Sequence, residues 1–426
     1  MAMFFAFASC KEWNAAPQTA RDTYLTFLDY PQPLSPTAVA PTDDGFVMAA
    51  IYSAQGTTTR FIKIDRRGNR IWVRDFLKVR VKTVLLLPDG FILAGDAVHA
   101  PGEASKIKMI KTDGEGLIQK QNEFPIRASG ETEMDAAVFN ETTAENLVVL
   151  GRMIKSDADS IFIAKVKTST LELQWKRQEA ALTQGEGLGL DYKNGKSLLR
   201  LADKDNKDNI IWAAYAQTYT GDIKNLFGVL PVYRPHLPNA TFMNGGKIGN
   251  TNVNGANEGY QLKDIASSDL GFGTLGTYTS AGGQKPTGML FARLRGDGSL
   301  ERESTLVIGY DPGDNSVKTY NFAERSKVSG TLKGETIASA QDGYVLAGTF
   351  YNTSPSRGVE NDTDLIIIKL NFLGAVLWHR TFGGKGKEKP ARIWTDPDGR
   401  ITVTGEQDYK NLTVGFVLKV NETGDF

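Results

Sequence analysis

The chain has 426 residues, and its 49 Lys and Arg residues balance 49 Asp and Glu residues, so the formal charge is zero. A neutral chain is a poor candidate for sequence-independent nucleic-acid binding, which depends on an excess of basic side chains. The single cysteine excludes an internal disulfide framework and a multi-cysteine zinc site. Glycine is above its usual share, with 44 residues, which favours a globular fold with many turns.

The N-terminal segment is apolar and places the only cysteine, Cys10, directly after the small residues Ala8 and Ser9. It resembles the end of a bacterial lipoprotein signal peptide, in which such a cysteine carries the lipid. The resemblance implies that residues 1–21 comprise a signal-peptide remnant, a lipidated Cys10 and a short polar tether. The alternative is a buried free cysteine beside an apolar tail. No other segment reaches the length of a transmembrane helix, so none is predicted.

A short unit recurs along residues 22–426, which are predicted to form one domain. Its clearest copies begin at Asp89-Gly90 and Asp342-Gly343, and weaker copies begin at Asp44-Gly45, Asn194-Gly195 and Asp398-Gly399. Each Asp-Gly or Asn-Gly pair is a hairpin-turn signal, and a run with high strand propensity follows it.

A second unit follows the first and reads as strand, tight turn, strand. Residues 62–72 and 368–378 match position by position. Strand-only repeats of 40 to 50 residues are typical of β-propeller blades. The sequence therefore predicts an all-β fold, a seven-bladed β-propeller, or an eight-bladed one if a further blade lies in one of two long gaps. Residues 23–28 are predicted to form a strand that completes the last blade and closes the ring.

Residues that recur around the ring are predicted to serve packing between blades. The basic residue of the second unit recurs six times, at positions 63, 111, 165, 293, 369 and 419. Trp72, Trp175 and Trp378 follow the second turn and are predicted to cover the groove between blades. Residues 271–276 fit a dinucleotide-binding glycine pattern, but they align with a repeat strand and are assigned to it.

The composite repeat resembles the propeller repeats of Bacteroidetes outer-membrane and surface lipoproteins. Residues 341–405 carry the resemblance best, through the first unit, the second unit with its Trp, and Thr381-Phe382-Gly383-Gly384. The strand-turn-Trp half is also similar to pyrroloquinoline-quinone-type propeller repeats. The resemblance implies a cell-envelope location, on the periplasmic or the external side of the outer membrane. It implies no particular function, because propellers host many.

Candidate chemistry is sparse in the sequence. His379 is predicted to lie on the surface in an outer strand, and no nucleophile or zinc-ligand motif occurs. Acidic residues cluster in predicted loops of one face, above all Asp203, Asp205 and Asp208. These three are weak candidates for calcium ligands, since calcium binds six to eight oxygens. Paired carboxylates for glycoside cleavage are a further interpretation of the acidic loops, and a solvated loop rim is the simplest one.

The longest connections supply the candidate binding residues. One connection runs from Asn239 to Gly259, where eleven of twenty-one residues are Asn or Gly, and the other spans about Asp311 to Lys333. Long insertions in repeat proteins often map to one binding face. The candidate partner- or ligand-binding residues in and beside these connections are Asn239, Asn252, Asn254, Tyr320, Phe322, Phe350 and Tyr351.

These observations favour a non-catalytic, lipid-anchored propeller that acts as a protein-binding scaffold in an outer-membrane or cell-surface complex. The expected partner is an outer-membrane protein or another lipoprotein, with no nucleic acid and no required cofactor. Two alternatives stay open. One is a polysaccharide-binding surface lipoprotein, and the other is an envelope enzyme, either a quinoprotein or a carboxylate-based glycosidase or lyase.

Overall fold

The computed structural model of the chain is built almost entirely of strands. It describes residues 23–28, 33–52, 58–98, 106–125, 133–140, 146–154, 160–180, 201–204, 210–213, 232–233, 259–280, 287–295, 300–311, 314, 316–328, 330–351, 363–383, 386–409 and 412–426. No helix among these residues is both long and apolar enough to cross a membrane.

The strands of the first half are β1 (Tyr24–Leu28), β2 (Leu34–Thr42), β3 (Gly45–Tyr52), β4 (Thr58–Asp65), β5 (Arg70–Leu77), β6 (Val79–Leu87), β7 (Gly90–Ala97), β8 (Lys106–Thr112), β9 (Ile118–Pro125), β10 (Glu133–Asn140), β11 (Asn146–Ile154), β12 (Ser160–Lys167), β13 (Leu173–Ala180), β14 (Leu201–Lys204), β15 (Ile210–Ala213) and β16 (Val232–Tyr233).

The second half contributes one 3₁₀ helix (Phe322–Lys327), and its strands are β17 (Gly259–Ser268), β18 (Gly271–Thr279), β19 (Thr287–Leu294), β20 (Leu300–Asp311), β21 (Ser316–Asn321), β22 (Leu332–Ala340), β23 (Gly343–Tyr351), β24 (Thr363–Asn371), β25 (Val376–Phe382), β26 (Lys387–Thr395), β27 (Ile401–Tyr409) and β28 (Leu412–Val420).

Consecutive antiparallel strands form seven sheets among the described residues, in agreement with the predicted all-β propeller. The first, second, third and sixth sheets are β2–β5, β6–β9, β10–β13 and β22–β25, and a single parallel bridge joins the sixth to the seventh. The fourth sheet shows three strands, β14–β16, within the described part of the chain. The fifth has five, β17–β21, because β20 continues into an additional hairpin with β21.

The seventh sheet is completed by the N-terminal strand, as predicted. β1 pairs antiparallel with β28 in the order β26-β27-β28-β1, and Tyr24 lies opposite Lys419. Leu25 and Phe27 pack on the core between the sixth and seventh sheets, whereas Leu28 belongs to the core shared by the seventh and first sheets. Contact with a core on each face explains the apolar residues of this strand, of which Leu28 is buried and the others are half-buried.

The turn between the first two strands of a sheet is held by glycine and by an ion pair. Gly45 has φ of 153°, and a Cβ there would lie 2.0 Å from the carbonyl oxygen of Ile64. In four sheets the repeated lysine of the third strand binds the turn aspartate, in the pairs Lys63–Asp44, Lys111–Asp89, Lys369–Asp342 and Lys419–Asp396. Each of these ion pairs lies within one sheet, so the repeated lysine holds a turn of its own sheet and is not shown to pack between blades. The fifth sheet differs, because Arg293 donates to the carbonyl oxygen of Phe372 in the sixth sheet.

The turn that follows the third strand of a sheet is also repeated, and in the seventh sheet it is formed by residues 421–425. Its first side chain accepts two backbone N–H groups, as Asp65 does from Arg67 and Asn69. The same pattern occurs at Asp113, Asn371 and Asn421. Each of these turns contains a glycine with φ between 74° and 86°, namely Gly68, Gly116, Gly374 and Gly424.

These glycines receive large side chains of the preceding sheet. A Cβ at Gly116 would lie 2.8 Å from the ring of Trp72, and a Cβ at Gly424 would lie 2.8 Å from the ring of Trp378. Both tryptophans therefore cover a groove between sheets, as predicted, while the side chain of Trp175 lies outside the described residues. The ring of Tyr24 occupies the same position over Gly68. The interface between the seventh and first sheets thus uses the same kind of contact as those between the first and second and between the sixth and seventh sheets.

The sheets present two ends, which we name for the connections they carry. The turn face carries the tight turns after the first and third strands, for example residues 43–44 and 66–69. The loop face carries the connections after the second and fourth strands. Turns of neighbouring sheets meet on the turn face, where the amide of Gln341 donates to the carbonyl oxygen of Pro397 at 3.3 Å. Corresponding ends of adjacent sheets are therefore aligned.

Candidate functional site

The predicted binding residues that the structure describes lie on the fifth and sixth sheets. Tyr320 and Phe322 were expected in a long loop, and this expectation is wrong. Tyr320 belongs to β21, and Phe322 begins the 3₁₀ helix. Phe350 and Tyr351 end β23, at the loop face. Asn239, Asn252 and Asn254 lie outside the described residues, as does Cys10.

The hairpin of β20 and β21 extends the fifth sheet toward the sixth. Val317 is buried in the core that these two sheets share. Lys318 contacts Asp311 and Asp314 at 2.7 Å each, and these ion pairs cross-link the hairpin. The Lys318 ammonium lowers the pKa of Asp314 through its hydrogen bond, followed by the hydroxyl of Ser316. The hairpin is therefore fixed to the body of the propeller.

Aromatic side chains meet where this hairpin leaves the sheet. The rings of Tyr310 and Phe350 have centroids 4.3 Å apart, at an interplanar angle of 56°. Burial, then the charge of Asp311, raises the pKa of Tyr310. Lys333 donates to the hydroxyl of Tyr351 at 2.8 Å, and its Nζ lies 4.9 Å from the centre of that ring. We call Tyr310, Lys333, Phe350 and Tyr351 the aromatic cluster.

Tyr320 and Phe322 stand apart from the aromatic cluster in their described contacts. Tyr320 lies opposite Val307 in the β20–β21 pairing, and the Arg325 guanidinium lies 4.7 Å from the centre of the Phe322 ring. The exposed side chains of β21 and of the 3₁₀ helix are Thr319, Asn321, Ala323, Ser326 and Lys327. The structure thus forms two neighbouring features, the aromatic cluster and the exposed side of the hairpin with its helix.

The predicted calcium ligands do not form a described site. Asp203 lies on β14, opposite Ile211, rather than in the expected loop, because the strand continues through Lys204. Asp205 and Asp208 lie outside the described residues. Within the residues that the structure describes, no three His, Cys, Asp or Glu side chains group as metal ligands.

His379 lies on the outer strand β25, where the sequence predicted it, but its side chain is half-buried rather than on the open surface. Burial, followed by the charge of Arg380, lowers its pKa. The Arg380 guanidinium also binds Asp425 at 3.1 Å and the carbonyl oxygen of His379 at 3.0 Å. These contacts attach the C-terminal residues to the sixth sheet.

Sequence reasoning missed the hairpin and two members of the aromatic cluster. The signal for the hairpin was present in residues 311–315, since Asp-Pro-Gly-Asp-Asn is a strong turn sequence between two short runs of strand formers. Tyr310 and Lys333 carry no comparable local signal. Their neighbours Phe350 and Tyr351 come from another strand, so only the fold brings them together.

Comparisons with known proteins extend to the fold alone. No protein-family model and no curated protein sequence matches the chain. Three solved structures that resemble it are propeller-like, and their sequence identity to the chain is low. The polysaccharide lyase Uly1 is 8% identical, with a TM-score of 0.49, over 96% of this chain and 94% of its own. Sqt1 from Chaetomium thermophilum, bound to the N-terminus of a ribosomal protein, is 11% identical with a TM-score of 0.46, over 93% and 98%. A neuraminidase-like protein of A/little yellow-shouldered bat/Guatemala is 10% identical with a TM-score of 0.40, over 93% and 98%.

Proposed function

We propose that this protein is a non-catalytic propeller that binds a protein partner as a scaffold subunit of a cell-envelope complex. The observation that carries the proposal is the hairpin of β20 and β21, which the other described sheets lack. Val317 of β21 is buried, whereas Thr319 and Asn321, further along the same strand, are exposed. A rigid addition with an exposed polar side suits recognition of a folded partner, because little conformational freedom is lost on binding.

The envelope location is part of the same proposal and is supported by the sequence around Cys10. A lipid on this cysteine would hold the propeller at a membrane through a tether of about thirteen residues before Tyr24. The expected partner is an outer-membrane protein or another lipoprotein.

The test is purification of the tagged full-length protein from detergent-solubilised envelope, followed by mass spectrometry of everything that co-purifies. We expect a stoichiometric partner with the wild-type chain and its loss in the double variant Thr319→Arg, Asn321→Arg. Glu115→Arg on the turn face is the matched control, since Glu115 is also exposed. A protein that purifies alone, or a partner retained by the hairpin variant, would contradict the proposal. The intact mass shows in addition whether Cys10 carries lipid.

A polysaccharide ligand is the second candidate, and the aromatic cluster favours it. Tyr310, Phe350 and Tyr351 are each half-buried, so part of each ring remains available to stack on a sugar. We expect Tyr351→Ala to abolish retention on immobilised polysaccharide if this candidate is correct. A blank glycan array with the purified wild-type protein would eliminate it.

A further inference from the structure

The exposed large apolar side chains of the described residues are concentrated on the turn face. Nine such side chains are exposed, and seven belong to a tight turn or lie within three residues of one, namely Ile71, Leu86, Leu117, Ile118, Leu270, Leu373 and Leu377. Leu373 is 79% exposed and Leu270 is 66% exposed, and each stands at the tip of a turn. Of the other two, Leu77 lies at the opposite end of β5, and Phe426 packs against Phe382.

These seven side chains do not form one groove. They come from the first, second, fifth and sixth sheets, so they are distributed around the turn face rather than collected between two sheets. Single exposed apolar side chains are ordinary on any protein surface. Seven exposed apolar side chains at the turns of one face differ from such scattered side chains, because only a broad surface could contact all seven at once.

The chain N-terminal to Tyr24 joins the propeller at this same face. β1 runs antiparallel to β28, and Tyr24 pairs with Lys419, directly before the turn at Asn421. The ring of Tyr24 also lies over Gly68 in a tight turn of the first sheet. Residues 1–10, Met-Ala-Met-Phe-Phe-Ala-Phe-Ala-Ser-Cys, form an apolar segment. Because this segment precedes Tyr24 in the chain, it is connected to the propeller at the turn face rather than at the loop face.

Four aspartates at turns of this face are bound by lysines, among them Asp89 by Lys111 at 2.8 Å and Asp342 by Lys369 at 2.5 Å, whereas Glu115 and Asp269 are exposed. Paired carboxylates oppose the approach of an anionic or apolar surface less than isolated ones do.

We propose that the turn face lies against a lipid bilayer, with the apolar turn tips inserted into the interface and the loop face directed away from it. Interfacial binding of this kind grows with the apolar area that enters the boundary between headgroups and acyl chains. The inference goes beyond the proposed function and does not require a lipid on Cys10. It also leaves the hairpin of β20 and β21 accessible to a partner.

The test uses the full chain with Cys10→Ala, which removes the only cysteine and the lipidation site together. Single cysteines are then introduced as Leu373→Cys, Leu270→Cys and, as the matched control, Leu77→Cys, which is 68% exposed on the opposite face. Each is labelled with a polarity-sensitive nitrobenzoxadiazole probe, and circular dichroism confirms that each variant is folded. Vesicles of phosphatidylethanolamine and phosphatidylglycerol are then added.

We expect a blue shift and an intensity gain for the probes at positions 373 and 270 and none at position 77. Leu270→Asp with Leu373→Asp should weaken vesicle binding by at least about tenfold, because burial of one leucine side chain corresponds to about that factor. Vesicle binding through the apolar N-terminus alone would leave all three probes unchanged and would overturn the proposal. Equal shifts at 77 and 373 would overturn it as well. If the probes at positions 373 and 270 shift without vesicles when the protein concentration is raised, a second copy of the chain covers this face, and the proposal is overturned.

Discussion

Asp264 is the buried carboxylate whose contacts join two sheets. It is fully buried on β17, and its Oδ2 accepts the hydroxyl of Thr336 at 2.7 Å and the backbone N–H of Ile337 at 2.9 Å, both on β22. Its Oδ1 accepts the N–H of Ile265 at 2.8 Å. The first strands of the fifth and sixth sheets are thus connected through one side chain, at a β-bulge in each strand.

Replacing the Asp264 carboxylate should destabilise the folded protein. Asp264→Ala leaves buried donors without their acceptor, and we expect the free energy of unfolding to fall by about 3 kcal/mol. Urea denaturation followed by circular dichroism measures the change. Asp269→Ala, at an exposed turn position of the same sheet, should change it by less than about 0.5 kcal/mol. Equal effects of the two substitutions would show that Asp264 does not connect the sheets.

The turn aspartates make stability depend on pH. The hydrogen bond from Lys63 lowers the pKa of Asp44, and that from Lys111 lowers the pKa of Asp89, both below the ordinary value of 3.8. A carboxylate with a lowered pKa in the folded state stabilises the protein above its unfolded pKa. This contribution is lost as the pH falls through the folded value.

The double variant Asp44→Asn, Asp89→Asn should therefore be less stable than the wild type at pH 7, and the difference should be smaller at about pH 2.5. Urea midpoints at the two pH values measure the difference. A gap between the proteins that is no smaller at the acidic pH would mean that the aspartates stabilise the turns through something other than their charge.

At the scale of elements, the contact between a turn glycine and a neighbouring ring can be measured with a matched pair. Gly116 has φ of 74° and Gly399 has φ of 84°, so alanine strains both backbones similarly. A Cβ at Gly116 would lie 2.8 Å from Trp72, whereas the nearest atom to one at Gly399 is a Glu422 oxygen at 3.4 Å.

Gly399→Ala should cost about 1 kcal/mol, which is the backbone cost alone. Gly116→Ala should cost about 2 kcal/mol more, because the Trp72 ring must move out of its contact between sheets. Thermal and urea unfolding of the two variants measure the difference. If they are equally stable, the ring does not press on the turn.

Whether an element could be predicted from the sequence depends on how close together in the chain the residues of its signal lie. The strands, the Asp-Gly turns and the recurrence of the lysine were predicted because each copy carries its own signal within about ten residues. The pairing of this lysine with the turn aspartate was not predicted, since the two residues belong to different repeat units. The role of Asp264 could not be predicted, since its partners Thr336 and Ile337 are more than seventy residues away. The contact of Tyr310 with Phe350 is hidden for the same reason. β21 was missed because a six-residue strand with one buried side chain shows almost no alternation.

At the scale of the whole molecule, β1 is expected to stabilise the propeller strongly. A chain without residues 1–28 loses the burial of Leu25, Phe27 and Leu28, and it exposes the edge of β28. We expect the free energy of unfolding to fall by about 3 kcal/mol or more, since burial of Leu28 alone contributes about 1.5–3 kcal/mol and the half-buried Leu25 and Phe27 add to it.

The control for this truncation is a chain that lacks residues 1–22 only and keeps β1. It should match the full chain in urea denaturation, and size-exclusion chromatography should show it to aggregate less than the shorter chain, whose sheet edge is unpaired. A peptide of residues 23–28 added to the shorter chain should restore part of the loss. Two truncated chains of equal stability would refute a stabilising role of β1.

The pairing of Tyr24 with Lys419 also determines when the last sheet can be completed during synthesis of the chain. β1 leaves the ribosome before β28, and residues 29–411 lie between the two strands. At about 5–20 residues per second, about 20–80 s separate them. During this interval β1 exists without its partner strand, as a short apolar segment with unpaired backbone groups. The last sheet, and with it the junction of the first and seventh sheets, therefore forms only after β28 has been made. Until then the strand that completes this sheet waits in the growing chain with its edge unpaired.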